Sequence, residues 1–270
     1  EGTLTIHHKL QKQQPFSLVL GTHSCVHGGE FLDVCFGLNP SKKKNSEKYL
    51  IATAGEKSGI IVRAARSGDI VLMEHTEIEK GNVVRSLAFS KTGEYIAYGM
   101  DNNILVRRVD SGDVVSRFQQ NATEIYSLAF SPDSKLILSG NTRCMVLNEL
   151  NTGDSLPPFF QHKSSVSSVA FSRDGKFAAT AARNIVIRNI LTGVVIKTFD
   201  ERTANAVCYS PDGKHIGVAT DDNLTVVLDV EDGKVQKKFK HQNSVRTVSY
   251  SPDGSFLAAG DDDKRLILWE

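Results

Sequence analysis

The chain has 270 residues, a formal net charge of +1 and 40% hydrophobic residues, enough to build a substantial core. That charge balance excludes strong long-range attraction to nucleic acid or an anionic membrane. No apolar run approaches the ~18 residues of a membrane helix, and no secretory apolar stretch opens the chain. Length alone allows one large or two ordinary domains. No long polar linker interrupts the pattern described below, so a single domain over residues 1–270 is expected. The first residue is Glu1, not Met, so a trimmed or excised segment is expected.

The first thirty residues hold two strand candidates, Leu4–His7 and Phe16–Leu20, and then His23-Ser24-Cys25-Val26-His27. On an extended segment those two His and the Cys share a face, and both residue types suit zinc. No CxxC or HxxxH pairing supplies a fourth ligand, so no metal site is expected. At Phe31 a pattern begins that then recurs. FLDVCFGLNP is followed by VRSLAFSKTG (Val84–Gly93), IYSLAFSPDS (Ile125–Ser134), VSSVAFSRDG (Val166–Gly175), ANAVCYSPDG (Ala204–Gly213) and VRTVSYSPDG (Val245–Gly254). The aromatic anchors Phe89, Phe130, Phe171, Tyr209 and Tyr250 return about every forty residues, a period of propellers or solenoids. The first copy also carries a lysine-rich insertion, Ser41–Lys48. It reads as a solvated loop, with a basic contact as the alternative.

Each copy reads as four short strands. An inner strand such as Arg85–Phe89 leads into a turn of the Ser-Pro-Asp-Gly kind, in which Pro presets φ, Asp caps the turn and Gly accepts positive φ. An Ala- and Gly-rich second strand follows, as in Tyr95–Tyr98 or Phe256–Ala259. The third is β-branched or aliphatic: Ile104–Val106, Ile185–Ile187, Leu224–Val227, Leu266–Leu268. Tight turns such as Ser111-Gly112-Asp113 lead to a fourth, such as Asp113–Phe118. No stretch keeps a helical period. The fold class expected is all-β: a β-propeller of four-stranded antiparallel blades, six by repeat count. Residues 31–270 supply the six repeats, and residues 1–30 supply closing strands for a last copy that stops at Trp269-Glu270 after three. A seven-bladed ring with one incomplete blade is the alternative.

These residues resemble the WD-repeat family of β-propellers, most closely in the last copy, with His241, Ser251–Gly254, Asp263 and Leu266–Trp269. The resemblance implies a buried hydrogen-bonded set of His241, Asp263 and Trp269, with Ala259 replacing the family's Ser or Thr. His27 and His162 share the offset of His241, nine residues before the anchor. The family's Trp position holds Arg63, Arg107, Asn148, Arg188 and Leu228 in the other copies. The repeat is therefore degenerate.

Little else carries chemistry. Cys35 and Cys208 precede anchors where other copies hold Ala or Ser, so they read as core residues, and a reducing compartment, cytoplasmic or nuclear, is expected. No nucleophile elbow, phosphate loop or dinucleotide fingerprint is present. Four residues before each anchor stand Leu32, Arg85, Tyr126, Ser167, Asn205 and Arg246, a set without a carboxylate. That set offers neither a calcium site nor a general base, and the neighbouring Asp33 reads as a loop-facing acid. The family resemblance makes the same positions part of the face where partners dock. Arg and Tyr are hot-spot residue types. The expected function is a non-catalytic scaffold binding one or more proteins or peptides through Arg85, Tyr126, Arg246, Asn205 and Ser167. It has no cofactor and no membrane contact, touches nucleic acid only indirectly if at all, and forms a monomeric domain within a complex. A lactonase-like propeller enzyme and a nucleic-acid-associated subunit are the alternatives.

Overall fold

The computed structural model describes residues 31–40, 48–55, 59–65, 67–74, 83–120, 124–162, 164–199 and 203–270. All regular structure among them is β, in six antiparallel sheets that follow one another along the chain. The first sheet holds β1 (Phe31–Leu38), β2 (Tyr49–Gly55), β3 (Gly59–Ala64) and β4 (Ile70–Glu74). The second holds β5 (Val84–Phe89), β6 (Tyr95–Met100), β7 (Asn103–Arg108) and β8 (Val114–Gln119). The third holds β9 (Ile125–Phe130), β10 (Leu136–Asn141), β11 (Cys144–Glu149) and β12 (Ser155–Gln161). The fourth holds β13 (Ser168–Phe171), β14 (Phe177–Ala181), β15 (Ile185–Asn189) and β16 (Val195–Phe199). The fifth holds β17 (Ala204–Tyr209), β18 (His215–Thr220), β19 (Leu224–Asp229) and β20 (Val235–Lys240). The sixth has three strands, β21 (Val245–Tyr250), β22 (Leu257–Asp261) and β23 (Leu266–Trp269). Six blades is the number counted from the repeats. Leu4–His7 and Phe16–Leu20, the strands expected to close the last blade, lie outside the described residues, as do His23, Cys25 and His27.

Two compact units divide the chain. One runs up to Ile137 and includes Glu149–Asp154; the other comprises Leu138–Asn148 and Ser155–Glu270. In the first, Leu50, Ile60 and Val62 pack against Leu87, Ile96 and Tyr98, and Ala88, Ile104 and Phe118 against Leu128 and Ile137. In the second, Ala179, Ile185 and Ile187 meet Val207, Val218 and Val226, and Ala219 and Val227 meet Val248, Leu257 and Ala259. Middle strands such as β6, β7 and β18 are buried on both faces, whereas β8 and β20 are mostly exposed. This gradient explains the composition: Ala, Gly and aliphatic residues where sheet packs on sheet, and charged residues at the outer edge.

Consecutive inner strands are joined by a repeated contact. Three residues before the anchor, the Ser86 hydroxyl accepts the N–H of Leu128 at 3.0 Å, and the Ser168 hydroxyl accepts that of Val207 at 3.2 Å. In the first copy the acceptor is Asp33, whose Oδ2 takes the Leu87 N–H at 2.7 Å. Asp33 is therefore not loop-facing. It lies in β1, where burial pushes its carboxyl up to about 6 although hydrogen bonds from Leu87, Val34 and Ser86 oppose the rise.

The arginines at the degenerate position share one role. Arg63, Arg107 and Arg188 each donate from NH1 to a glycine carbonyl five residues on, in the turn before the outer strand: Gly68 at 3.0 Å, Gly112 at 2.7 Å and Gly193 at 3.4 Å. Arg107 also donates from Nε to the Tyr98 hydroxyl at 3.0 Å. A long donor here ties the third strand to its own outer hairpin.

Candidate functional site at the start of the inner strands

The candidate positions are set by a break in the ladder. Between β5 and β6, Val84 pairs with Met100 and Ser86 with Gly99, so Arg85 is the extra residue of a β-bulge. Asn205, Arg246 and Leu32 are skipped in the same way in their own sheets. A bulge re-aims the side chain it carries. Ser167 stands just before β13, and Tyr126 is the second residue of β9.

In the first unit, Glu124 joins two of these residues. Arg85 NH2 lies 3.2 Å from Glu124 Oε1, and the Tyr126 hydroxyl donates to Glu124 Oε2 at 2.8 Å. In the second unit the centre is Asp221. Its Oδ1 accepts Asn205 Nδ2 and Ser244 Oγ, each at 2.8 Å, and lies 3.4 Å from Arg246 NH1. Asn205 also donates to the Val245 carbonyl at 2.9 Å. Arg246 makes a bidentate pair with Asp262, with Nε and NH2 both at 2.7 Å. These contacts hold both carboxyls below the usual range: the Asn205 and Ser244 hydrogen bonds act first at Asp221, and the Arg246 hydrogen bond at Asp262. Ser167 is turned inward, its hydroxyl 3.1 Å from the carbonyls of Ala181 and Ala204. Glu124, Asp221 and Asp262 were missed from sequence because they lie outside the repeat-anchored position. Their one signal is that each stands in a turn or strand-entry segment beside the bulge.

The buried polar set of the last copy differs from the expected one. His241 Nδ1 lies 3.1 Å from Asp261 Oδ2, with both side chains fully enclosed, and Nε2 lies 2.9 Å from Thr225 Oγ1. Asp261, not Asp263, is thus the acid on His241. Asp261 ends β22, and its Oδ1 also accepts the N–H groups of Asp263 and Arg265 at 3.1 and 3.2 Å. Asp263 faces outward to Arg265 and Asn243. The second polar partner of the imidazole comes from Thr225, in the fifth sheet, and not from the position of Ala259. Trp269 meets the His241 ring edge-on at 5.2 Å and stacks on Phe239 at 4.5 Å. His162, at the same offset, approaches Thr180 Oγ1 at 3.4 Å, and burial with the nearby Arg188 charge lowers it to about 4.

The cysteines Cys35 and Cys208 pack against the cores, and burial pushes both thiols up, Cys208 to about 12. Among the described residues no three His, Cys, Asp or Glu side chains converge as metal ligands. Residues 41–47 of the lysine loop lie outside the described residues; Lys48 places its ammonium 5.1 Å from the Tyr49 ring centre.

Comparison with protein families gives two matches. The model for WD domain, G-beta repeat, matches residues 153–188 and 233–270, and that for the anaphase-promoting complex subunit 4 WD40 domain matches residues 44–133. No curated protein matches the chain. With six successive antiparallel sheets, each opening on the same repeated inner strand, the chain belongs to the WD-repeat β-propeller family.

Proposed function

We propose that the chain is a non-catalytic scaffold that captures protein or peptide partners at the end of the sheets where the inner strands begin, within a cytoplasmic or nuclear complex. The observation that carries this reading is the treatment of the bulge residues. Arg85 and Arg246 retain 40% and 56% side-chain exposure while carboxylates hold their guanidiniums in one geometry. Side chains ordered before binding lose little entropy when a partner arrives. Arg and Tyr held this way match the residue types that dominate interface energetics. Asp33, the acid on an inner strand, is already engaged by the Leu87 and Val34 N–H groups, which favours a scaffold over a catalyst.

The test is affinity capture from a cell extract with mass spectrometry, comparing wild type with R85A/Y126A and with N205A/R246A. Capture of the same partners should fall about tenfold or more in at least one variant while the melting temperature shifts little. Unchanged capture by both would remove this face as the site.

A further inference from the structure

The outer strands are chemically unequal. β20 reads VQKKFK, whereas β4, β8 and β16 read IVLME, VVSRFQ and VIKTF. Pairing fixes where the β20 lysines point. Lys238 opposes Val226 and Lys240 opposes Leu224, and directly opposed residues share a face. Val226 and Leu224 belong to the core shared with Ile185, Ile187 and Phe199, so Lys238 and Lys240 lie on the side turned to the fourth sheet. Lys197, on β16, is directed at the turn before β20. It opposes Ile187, and its ammonium donates to the Glu231 carbonyl at 3.0 Å. It passes so close to the turn before β20 that a Cβ at Gly233 would come within 2.9 Å of Nζ. The other two lysines are engaged elsewhere: Lys234 pairs with Asp232, and Lys237, on the opposite face, donates to the Glu270 carbonyl.

Lys238 and Lys240 therefore stand together on the side of β20 turned to the fourth sheet, with Lys197 held at the turn that precedes β20. Alternate residues of a strand stand about 6.8 Å apart, the spacing at which an extended peptide presents alternate side chains. We propose that the side of β20 turned to β16 docks an extended acidic peptide, with Asp or Glu at alternate positions facing Lys238 and Lys240. Charge complementarity selects the occupant. An oligonucleotide would offer phosphates to the same lysines but also needs open ring faces for its bases. Here Phe239 is stacked on Trp269 and Phe199 is packed in the core. A second copy of the chain would set lysine against lysine. Lysines that only blunt a sheet edge would be needed equally on β4 and β16, yet those strands expose Ile70, Val71, Met73, Val195 and Ile196.

Fluorescence anisotropy with a labelled peptide alternating Glu and Thr, its Gln–Thr counterpart and a labelled oligouridylate tests the proposal. The Glu–Thr peptide should bind with an affinity that falls as salt is raised, and the Gln–Thr peptide should not. The K238Q/K240Q variant, whose replaced side chains are exposed, should melt like wild type and bind about tenfold more weakly. Absent binding of the Glu–Thr peptide, equal binding by the variant, or tighter binding of oligouridylate would each overturn it. Self-association of the wild type that the substitutions abolish would assign the face to a second copy instead.

Discussion

Asp33 accepts the backbone N–H of Leu87 at 2.7 Å, at the position where Ser86 and Ser168 serve the next inner strands with a neutral hydroxyl. A carboxylate in that enclosed place has a consequence the hydroxyls lack. Its folded value of about 6 exceeds the unfolded 3.8, so the folded state holds the proton more tightly. Its contribution to stability is thus fully present below about 3.8, falls as pH rises toward about 6 and stays lost above it. Replacing Asp33 with Ser should stabilise the protein at neutral pH, by up to the order of 3 kcal/mol, and the gain should vanish near pH 4. Denaturant melts of wild type and D33S across about pH 4 to 7 measure this directly. A gain independent of pH would mean that ionisation at Asp33 is not the cause.

His162 should give the opposite slope. Burial and the Arg188 charge lower its folded value to about 4, below the ordinary 6.5. The unfolded state therefore binds the proton first, and stability is lost as pH falls from about 6.5 toward 4. In H162Q this acid-sensitive component should disappear. The comparison is made variant by variant, because Asp33 and His162 pull in opposite directions over overlapping pH.

Asp261 and Asp263 separate under mutation although they are two residues apart. The Asp261 side chain is fully enclosed against His241, whereas Asp263 is 35% exposed beside Arg265. D261A should cost about 3 kcal/mol because it strands a buried imidazole. D263A should change stability by less than about 1 kcal/mol. Equal losses in chemical denaturation would return the structural role to both acids.

Ser134 holds φ of +61° in a turn where four of the other copies place Gly93, Gly175, Gly213 and Gly254 at +71° to +77°. An L side chain there is strained, and the Ser134 hydroxyl is buried without a partner. S134G should raise stability by about 1 kcal/mol, seen as a higher midpoint with an unchanged denaturant slope. A lower midpoint would show that the hydroxyl is satisfied in solution.

The anchors Phe89, Phe130, Phe171, Tyr209 and Tyr250, the Ser-Pro-Asp-Gly turns and the aliphatic third strands were legible in order along the chain, and with them the fold class and the six sheets. These are local or periodic features, written by burial and turn chemistry within one repeat. The position of Arg85, Asn205 and Arg246 was also legible, because the repeat fixes it. Their partners were not. Glu124 lies 39 residues from Arg85, Asp221 lies 25 from Arg246, and Asp261 lies 20 from His241. Unlike the Ser86 and Ser168 contacts, which recur at one repeat position, these carboxylate partners stand at no shared position and so leave no periodic trace. Only packing decides which of three consecutive acids, Asp261, Asp262 or Asp263, turns inward to an imidazole, grips an arginine or faces solvent.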